Sequence, residues 1–148
     1  MQAIKDTVFY SEVIKEFNFH FGNFYFFDGF IVSEIKTGVD FSWEHARQVI
    51  HKVTEFYKTS GSDIIYISNR INEYNVKPAD WLKFTMYTFK LKAYGIVANT
   101  TIKRRNAKLE SLFIPTKFRT FNDVFEAIQW AAQLNDARKQ PADKEDAS

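Results

Sequence analysis

The stretch Phe17-Asn18-Phe19-His20-Phe21-Gly22-Asn23-Phe24-Tyr25-Phe26-Phe27-Asp28-Gly29-Phe30 decides the fold. From Val13 onward the residues alternate. Phe17, Phe19 and Phe21 fall on one face and Asn18 and His20 on the other, the period of a half-buried strand. Gly22-Asn23 and Asp28-Gly29 are dipeptides favoured by two-residue hairpin turns, whose central residues need positive φ. With Phe24 to Phe27 between them and Phe30 to Lys36 after them, they predict an antiparallel meander of up to three strands. Phe24 to Phe27 is apolar on both faces, so each face needs a cover. A helix of the same chain would serve, as would a second subunit, and a homodimer is therefore one expectation.

Downstream the period lengthens. Ser42 reads as an N-cap with Glu44 in the first turn, and Trp43, Ala46, Val49/Ile50, Val53 and Phe56/Tyr57 share one helical face. Gly61 reads as the end of that helix. Asp63 to Ser68 is a short buried-type strand, followed by an Asn-rich loop from Asn69 to Lys77. Pro78 opens a second helix to about Phe89 that buries Trp81, Leu82, Thr85, Met86 and Phe89. Ala93 to Ala98 is the next strand. Thr100 or Thr101 caps a basic helix to about Leu112, with Ile102, Leu109, Leu112 and Phe113 as its apolar positions. Lys117 to Thr120 is a short strand, and Asn122 caps a last helix with Val124, Ile128, Ala131 and Leu134 inside.

This order predicts an α/β fold: a mixed, largely parallel sheet of four or five strands, an N-terminal antiparallel meander and about four helices packed on it. Residues 1–11 read as a loosely ordered lead-in, 12–134 as a single domain, and 135–148 as a disordered tail.

At 148 residues, 45% of them hydrophobic, the chain has the size and composition of one globular domain. Sixteen Phe, seven Tyr and three Trp predict an aromatic-rich core, and also allow a greasy pocket. The absence of cysteine excludes disulfides, thiolate metal sites and a cysteine nucleophile. Residues 1–10 lack a basic-then-apolar leader, and no apolar run is long enough to span a bilayer, so a cytoplasmic location is expected. The net charge of +2 hides an asymmetry: Lys77 to Arg119 holds ten Lys/Arg against two acids, Asp80 and Glu110, a net +8. Each flank carries −3. A basic face follows from that distribution.

Two stretches carry a family resemblance. One is Tyr66-Ile67-Ser68-Asn69-Arg70-Ile71-Asn72-Glu73-Tyr74, continuing into Pro78-Ala79-Asp80-Trp81-Leu82. The other is Tyr94-Gly95-Ile96-Val97 with Phe121-Asn122-Asp123-Val124-Phe125-Glu126-Ala127-Ile128-Gln129-Trp130. Together with the element order they resemble the STAS-like domains (sulfate transporter and anti-sigma-factor antagonist), in particular small stand-alone STAS/Sec14-like proteins of Bacteroidetes. The resemblance implies a mixed sheet with helices on it and a role in protein–protein regulation or ligand sensing; it implies no enzyme. The antagonists carry a phosphorylatable serine in an Asp-Ser-Ser-Gly-like step at the start of the second helix. Here that step reads Lys77-Pro78-Ala79-Asp80-Trp81, without a hydroxyl, so a phosphorylation switch is not expected there.

Two surfaces are candidate sites. Open α/β sheets bind ligands beyond the carboxyl ends of their strands, where Ser68, Asn69, Arg70, Asn72 and Tyr74 fall. The Arg70 fork suits a carboxylate or phosphate. The structural alternative, which we prefer, is that Asn69, Asn72 and Asn75 bond their own backbone and shape the loop. The second surface is the basic helix, with Lys103, Arg104, Arg105 and Lys108, and with Lys90, Lys92, Lys117 and Arg119 as further basic residues. Consecutive charges spread by about 100° each and cannot share one narrow stripe, so a solvated face is the simpler reading. No nucleic-acid module accompanies them, and an acidic protein is the expected partner rather than nucleic acid.

His20 lies on the polar side of a strand, and His45 and His51 face different sides of one helix, so no metal site or general base is expected. The five glycines form no phosphate loop, and no cofactor is expected. The leading expectation is a non-catalytic STAS-like interaction module. Its alternative is a binder of a lipid or other apolar small molecule, and a small enzyme using Arg70 and Asn69 ranks last.

Overall fold

The computed structural model describes residues 1–76, 79, 80, 83, 91–112, 114 and 116–139, the last three as backbone. Eight strands are present among them. They are β1 (Lys15–Phe19), β2 (Gly22–Phe26), β3 (Phe30–Ile35), β4 (Asp40–Phe41), β5 (Ile65–Asn69), β6 (Asn75–Val76), β7 (Ala93–Val97) and β8 (Lys117–Phe121). Three α-helices are bounded among the same residues: α1 (Trp43–Tyr57), α2 (Thr101–Ser111) and α3 (Val124–Lys139). Most of the helix expected from Pro78 to Phe89 lies outside the described residues, including Pro78, Trp81, Leu82, Thr85, Met86 and Phe89. Ala79, Asp80 and Lys83 are described and helical.

The meander forms, but its first turn is displaced. His20 and Phe21 make the connection, and Gly22 already pairs with Phe19. A Cβ on Gly22 would lie 2.9 Å from the Glu34 carbonyl oxygen and 3.0 Å from the Ile35 Cα. The glycine is there so that β3 can come close, not to supply a positive φ. Asp28-Gly29 does turn the chain: Gly29 has φ 80°, and the Phe27 N–H donates to the Phe30 carbonyl at 2.8 Å.

The main sheet has six strands in the order β1-β2-β3-β5-β7-β8, not four or five. The whole meander joins the parallel strands through β3, which pairs antiparallel with β2 and parallel with β5. β5–β7 and β7–β8 are also parallel. A second, two-stranded parallel pair, β4–β6, was not expected from the sequence.

After β3 the strand order advances in one direction without reversing. Right-handed crossovers that advance one way place their helices on one face of a sheet. In agreement, Ala46, Val49 and Val53 of α1 pack with Phe24, Phe26, Ile31 and Ile35. Ala107 of α2 packs with Tyr94 and Ile96, and Tyr66, Val76 and Leu91 touch both groups. The other face is covered by α3, through Val124, Ala127, Ile128, Trp130 and Ala131, over Tyr25, Val32, Ile65, Ile67 and Val97. Both faces of Phe24 to Phe27 are thus covered within one chain, and that run does not call for a second subunit.

The helix ends differ from the sequence reading. α1 stops at Lys58, which adopts the left-handed conformation (φ 54°) ahead of Gly61. α3 is capped by Asp123, whose Oδ1 accepts the Glu126 N–H at 2.9 Å, one residue after Asn122. α3 also continues through Lys139, past the boundary set for the tail; residues 140–148 lie outside the described residues. The lead-in folds into two 3-10 turns, Ile4–Asp6 and Val8–Glu12, and Ile4 is completely buried beneath it.

Candidate functional site

Alternation along β5 sends its last residues to opposite faces. Ser68 and Arg70 turn to the α2 side. Arg70, only 7% exposed, donates from Nη1 and Nη2 to the two carboxylate oxygens of Glu110 in α2, each at 2.6 Å. Its Nε donates to the Ser68 hydroxyl at 3.0 Å, which is itself 3.0 Å from the Tyr74 hydroxyl. The guanidinium also lies 5.3 Å over the Tyr74 ring. Nearby, the Tyr66 hydroxyl donates to Ser33 Oγ at 2.7 Å.

Burial opposes the charge on Arg70, but Tyr74 and the Glu110 carboxylate outweigh it and hold the pKa well above the ordinary value. Burial pushes the hydroxyls of Tyr66, Tyr74 and Tyr94 up, so they remain protonated. Ser68 therefore sits beside a permanent cation and a neutral phenol, neither of which removes a proton from it. The Arg70 fork does bind a carboxylate, and that carboxylate belongs to the chain itself. An external anion would have to displace Glu110.

Asn72 donates to the Ile35 carbonyl at 2.9 Å and fastens the loop to β3. Asn69 goes to the opposite face. Its Nδ2 donates to the Gln2 carbonyl and to Glu34 Oε2, both at 2.9 Å, and the same Glu34 oxygen accepts the Ile4 N–H at 2.7 Å. Asn69 Oδ1 is buried without a partner among the described residues. Burial raises the pKa of Glu34, an effect its two donors only partly oppose. Of the five loop residues, then, Ser68, Arg70 and Tyr74 form one cluster, Asn69 belongs to a second, and Asn72 is a tether.

The basic helix and the loop meet. Lys103 Nζ donates to the Arg70 carbonyl at 2.9 Å, and Arg104 Nε to the Ala98 carbonyl at 3.2 Å. Thr100 caps the helix, its Oγ1 accepting the Lys103 N–H. Ala107 is the buried residue of α2. Three of the apolar positions of this helix lie outside: Ile102, Leu109 and Leu112 are 70%, 58% and 77% exposed. The inner side is taken by Lys103, Ala107 and Glu110, because Arg70 draws Glu110 inward. Phe113 lies outside the described residues. Arg105 and Lys108 are exposed beside the three aliphatic side chains.

Glu110 and Glu34 were not among the residues singled out. Each leaves a trace, however: Glu110 is one of two acids in a segment of ten bases, and Glu34 the lone charge in the run Phe30 to Ile35.

His20 and His45 approach to 6.1 Å between ring centroids, and among the described residues no three His, Asp or Glu side chains converge. No helix among them is long and apolar enough to cross a membrane. The aromatic excess goes largely into ring contacts within the core, including Phe21–Phe24, Phe26–Tyr57 and Phe27–Phe30. No family model, curated protein or solved structure matches the chain.

Proposed function

We propose that the chain is a non-catalytic interaction module, of the STAS-like kind its sequence resembles, that docks another protein on the outward side of α2. The observation that carries this reading is the exposure of Ile102, Leu109 and Leu112 together on one short helix. Leaving three large aliphatic side chains in water is unfavourable by roughly 1.5–3 kcal/mol each relative to burying them, a gain that docking would recover. Isolated exposed apolar residues need no explanation, but three turned to one side of the same helix among basic residues do. The polar cluster behind the helix supports the reading in another way. Its members satisfy one another, and they fix α2 to the sheet through Arg70, so the helix is presented rigidly.

Affinity capture from the soluble lysate of the source cells tests it. The wild type is compared with Leu109→Ser/Leu112→Ser and with Arg104→Glu/Arg105→Glu. A partner retained by the wild type and lost from both variants, each still folded by circular dichroism, is the expected result. A protein held equally by all three would place the interaction elsewhere and remove this reading.

A further inference from the structure

The partner's chemistry can be read from where the charges sit on α2. At about 100° per residue, Leu109 falls about 20° to one side of Ile102 and Leu112 about 80° to that side. Arg105, at about 60°, lies between them, inside the apolar seam rather than at its edge. Lys108 and Arg104 follow on the same flank, both exposed. The seam is narrow and runs about 15 Å along the helix axis, the dimensions of a ridge that fits beside another helix.

From this arrangement we infer that the occupant is an amphipathic helix of a partner protein carrying a carboxylate among its apolar residues, seated on Arg105. The inference rests on α2 being the docking face. Docking dehydrates Arg105, and a dehydrated guanidinium without a counter-ion is strongly unfavourable. A carboxylate within the partner's own apolar stripe supplies the matching fork. Lys108 and Arg104, exposed on the same flank of α2, extend the positive field that draws such a helix in.

Two other occupants fit less well. A second copy docked through the same face would set Arg104, Arg105 and Lys108 against their own duplicates. Glu110, the acid of α2, is already held by Arg70 and does not relieve that repulsion. A lipid surface would receive the aliphatic residues but not an arginine between them, since interfacial helices keep their cations at the flanks.

The test uses the full chain and a display library of helical peptides, three to four turns long, randomised at positions i, i+3, i+4 and i+7. The expected selectants carry Asp or Glu at one of these positions and Leu, Ile, Met or Phe at the others. Their affinity should fall at least about tenfold with Arg105→Gln and vanish with Leu109→Ser/Leu112→Ser. Because all three residues are exposed, circular dichroism should show both variants folded. Selectants that need Leu109 and Leu112 but are indifferent to Arg105→Gln would overturn the acidic partner while leaving the docking face in place. Selectants indifferent to the leucine pair, or none at all, would overturn both. Co-sedimentation of the wild type with phosphatidylserine–phosphatidylcholine vesicles, weakened by the leucine pair, would make lipid the occupant and overturn the inference.

Discussion

Arg70 and Glu110, forty residues apart in sequence, face each other fork to fork through two hydrogen bonds of 2.6 Å. With both side chains largely buried, the pair joins the end of β5 to the last turn of α2 and so holds the loop and the helix as one piece. Removing one partner leaves the other as an uncompensated charge. Arg70→Ala or Glu110→Ala should each destabilise the fold by about 3–5 kcal/mol, read as a shift in the urea midpoint. The double change Arg70→Met/Glu110→Leu should recover most of that loss. Two single variants within about 0.5 kcal/mol of wild type would show that the pair contributes nothing.

Glu34 should make stability fall with rising pH. Its folded pKa is raised above the ordinary 4.5 by burial, so the native state holds its proton longer than the unfolded one. The advantage is complete below the ordinary value and disappears as pH rises through the raised one. Glu34→Gln keeps an acceptor for the Ile4 N–H without the charge. Urea midpoints across pH 4 to 8 should therefore show the difference, variant minus wild type, increasing with pH. A constant difference would count against a raised pKa.

His45 acts in the opposite sense. Burial, then the nearby His20, lowers its pKa below 6.5, while Glu44 works against them. Its Nδ1 accepts the Ser42 N–H at 3.1 Å and completes the start of α1. The unfolded chain binds the proton more readily, so stability is present above pH 6.5 and is lost as pH falls through the lowered value. His45→Gln retains an acceptor at this position and does not titrate. The wild type should lose stability relative to this variant between pH 7 and pH 5, as followed by thermal denaturation.

Two backbone positions call for opposite substitutions. Lys58, left-handed at the end of α1, should gain roughly 0.5–1 kcal/mol on replacement by glycine. Gly22→Ala should cost about 1–3 kcal/mol, because the new Cβ meets backbone atoms of β3 that cannot turn aside. Chemical denaturation of both variants checks the pair, and a stabilised Gly22→Ala would refute the close-approach argument.

How much was legible in the sequence depends on the range of the interaction. The alternation from Phe17 and the Asp28-Gly29 turn are local, and the meander followed from them. The displaced first turn did not, because the role of Gly22 is set by β3, twelve residues on. The orientation of α2 was not legible for the same reason: Arg70 on a distant loop pairs with Glu110 on the inner side of the helix, while Ile102 and Leu109 lie outside. Asn69, Asn72 and Tyr74 could be grouped as a loop from sequence, but not divided between the two faces of the sheet.

The one-way advance of the strands also sets an order of completion during synthesis. As the chain emerges amino end first, α1 can settle on its face of the sheet while the opposite face still lacks α3. Until residues 124–139 arrive, Tyr25, Val32, Ile65 and Ile67 have only the lead-in to shelter them. A chain that ended shortly before Val124 would therefore display a nearly finished sheet with one greasy side bare, the form of this protein that a chaperone is best placed to meet.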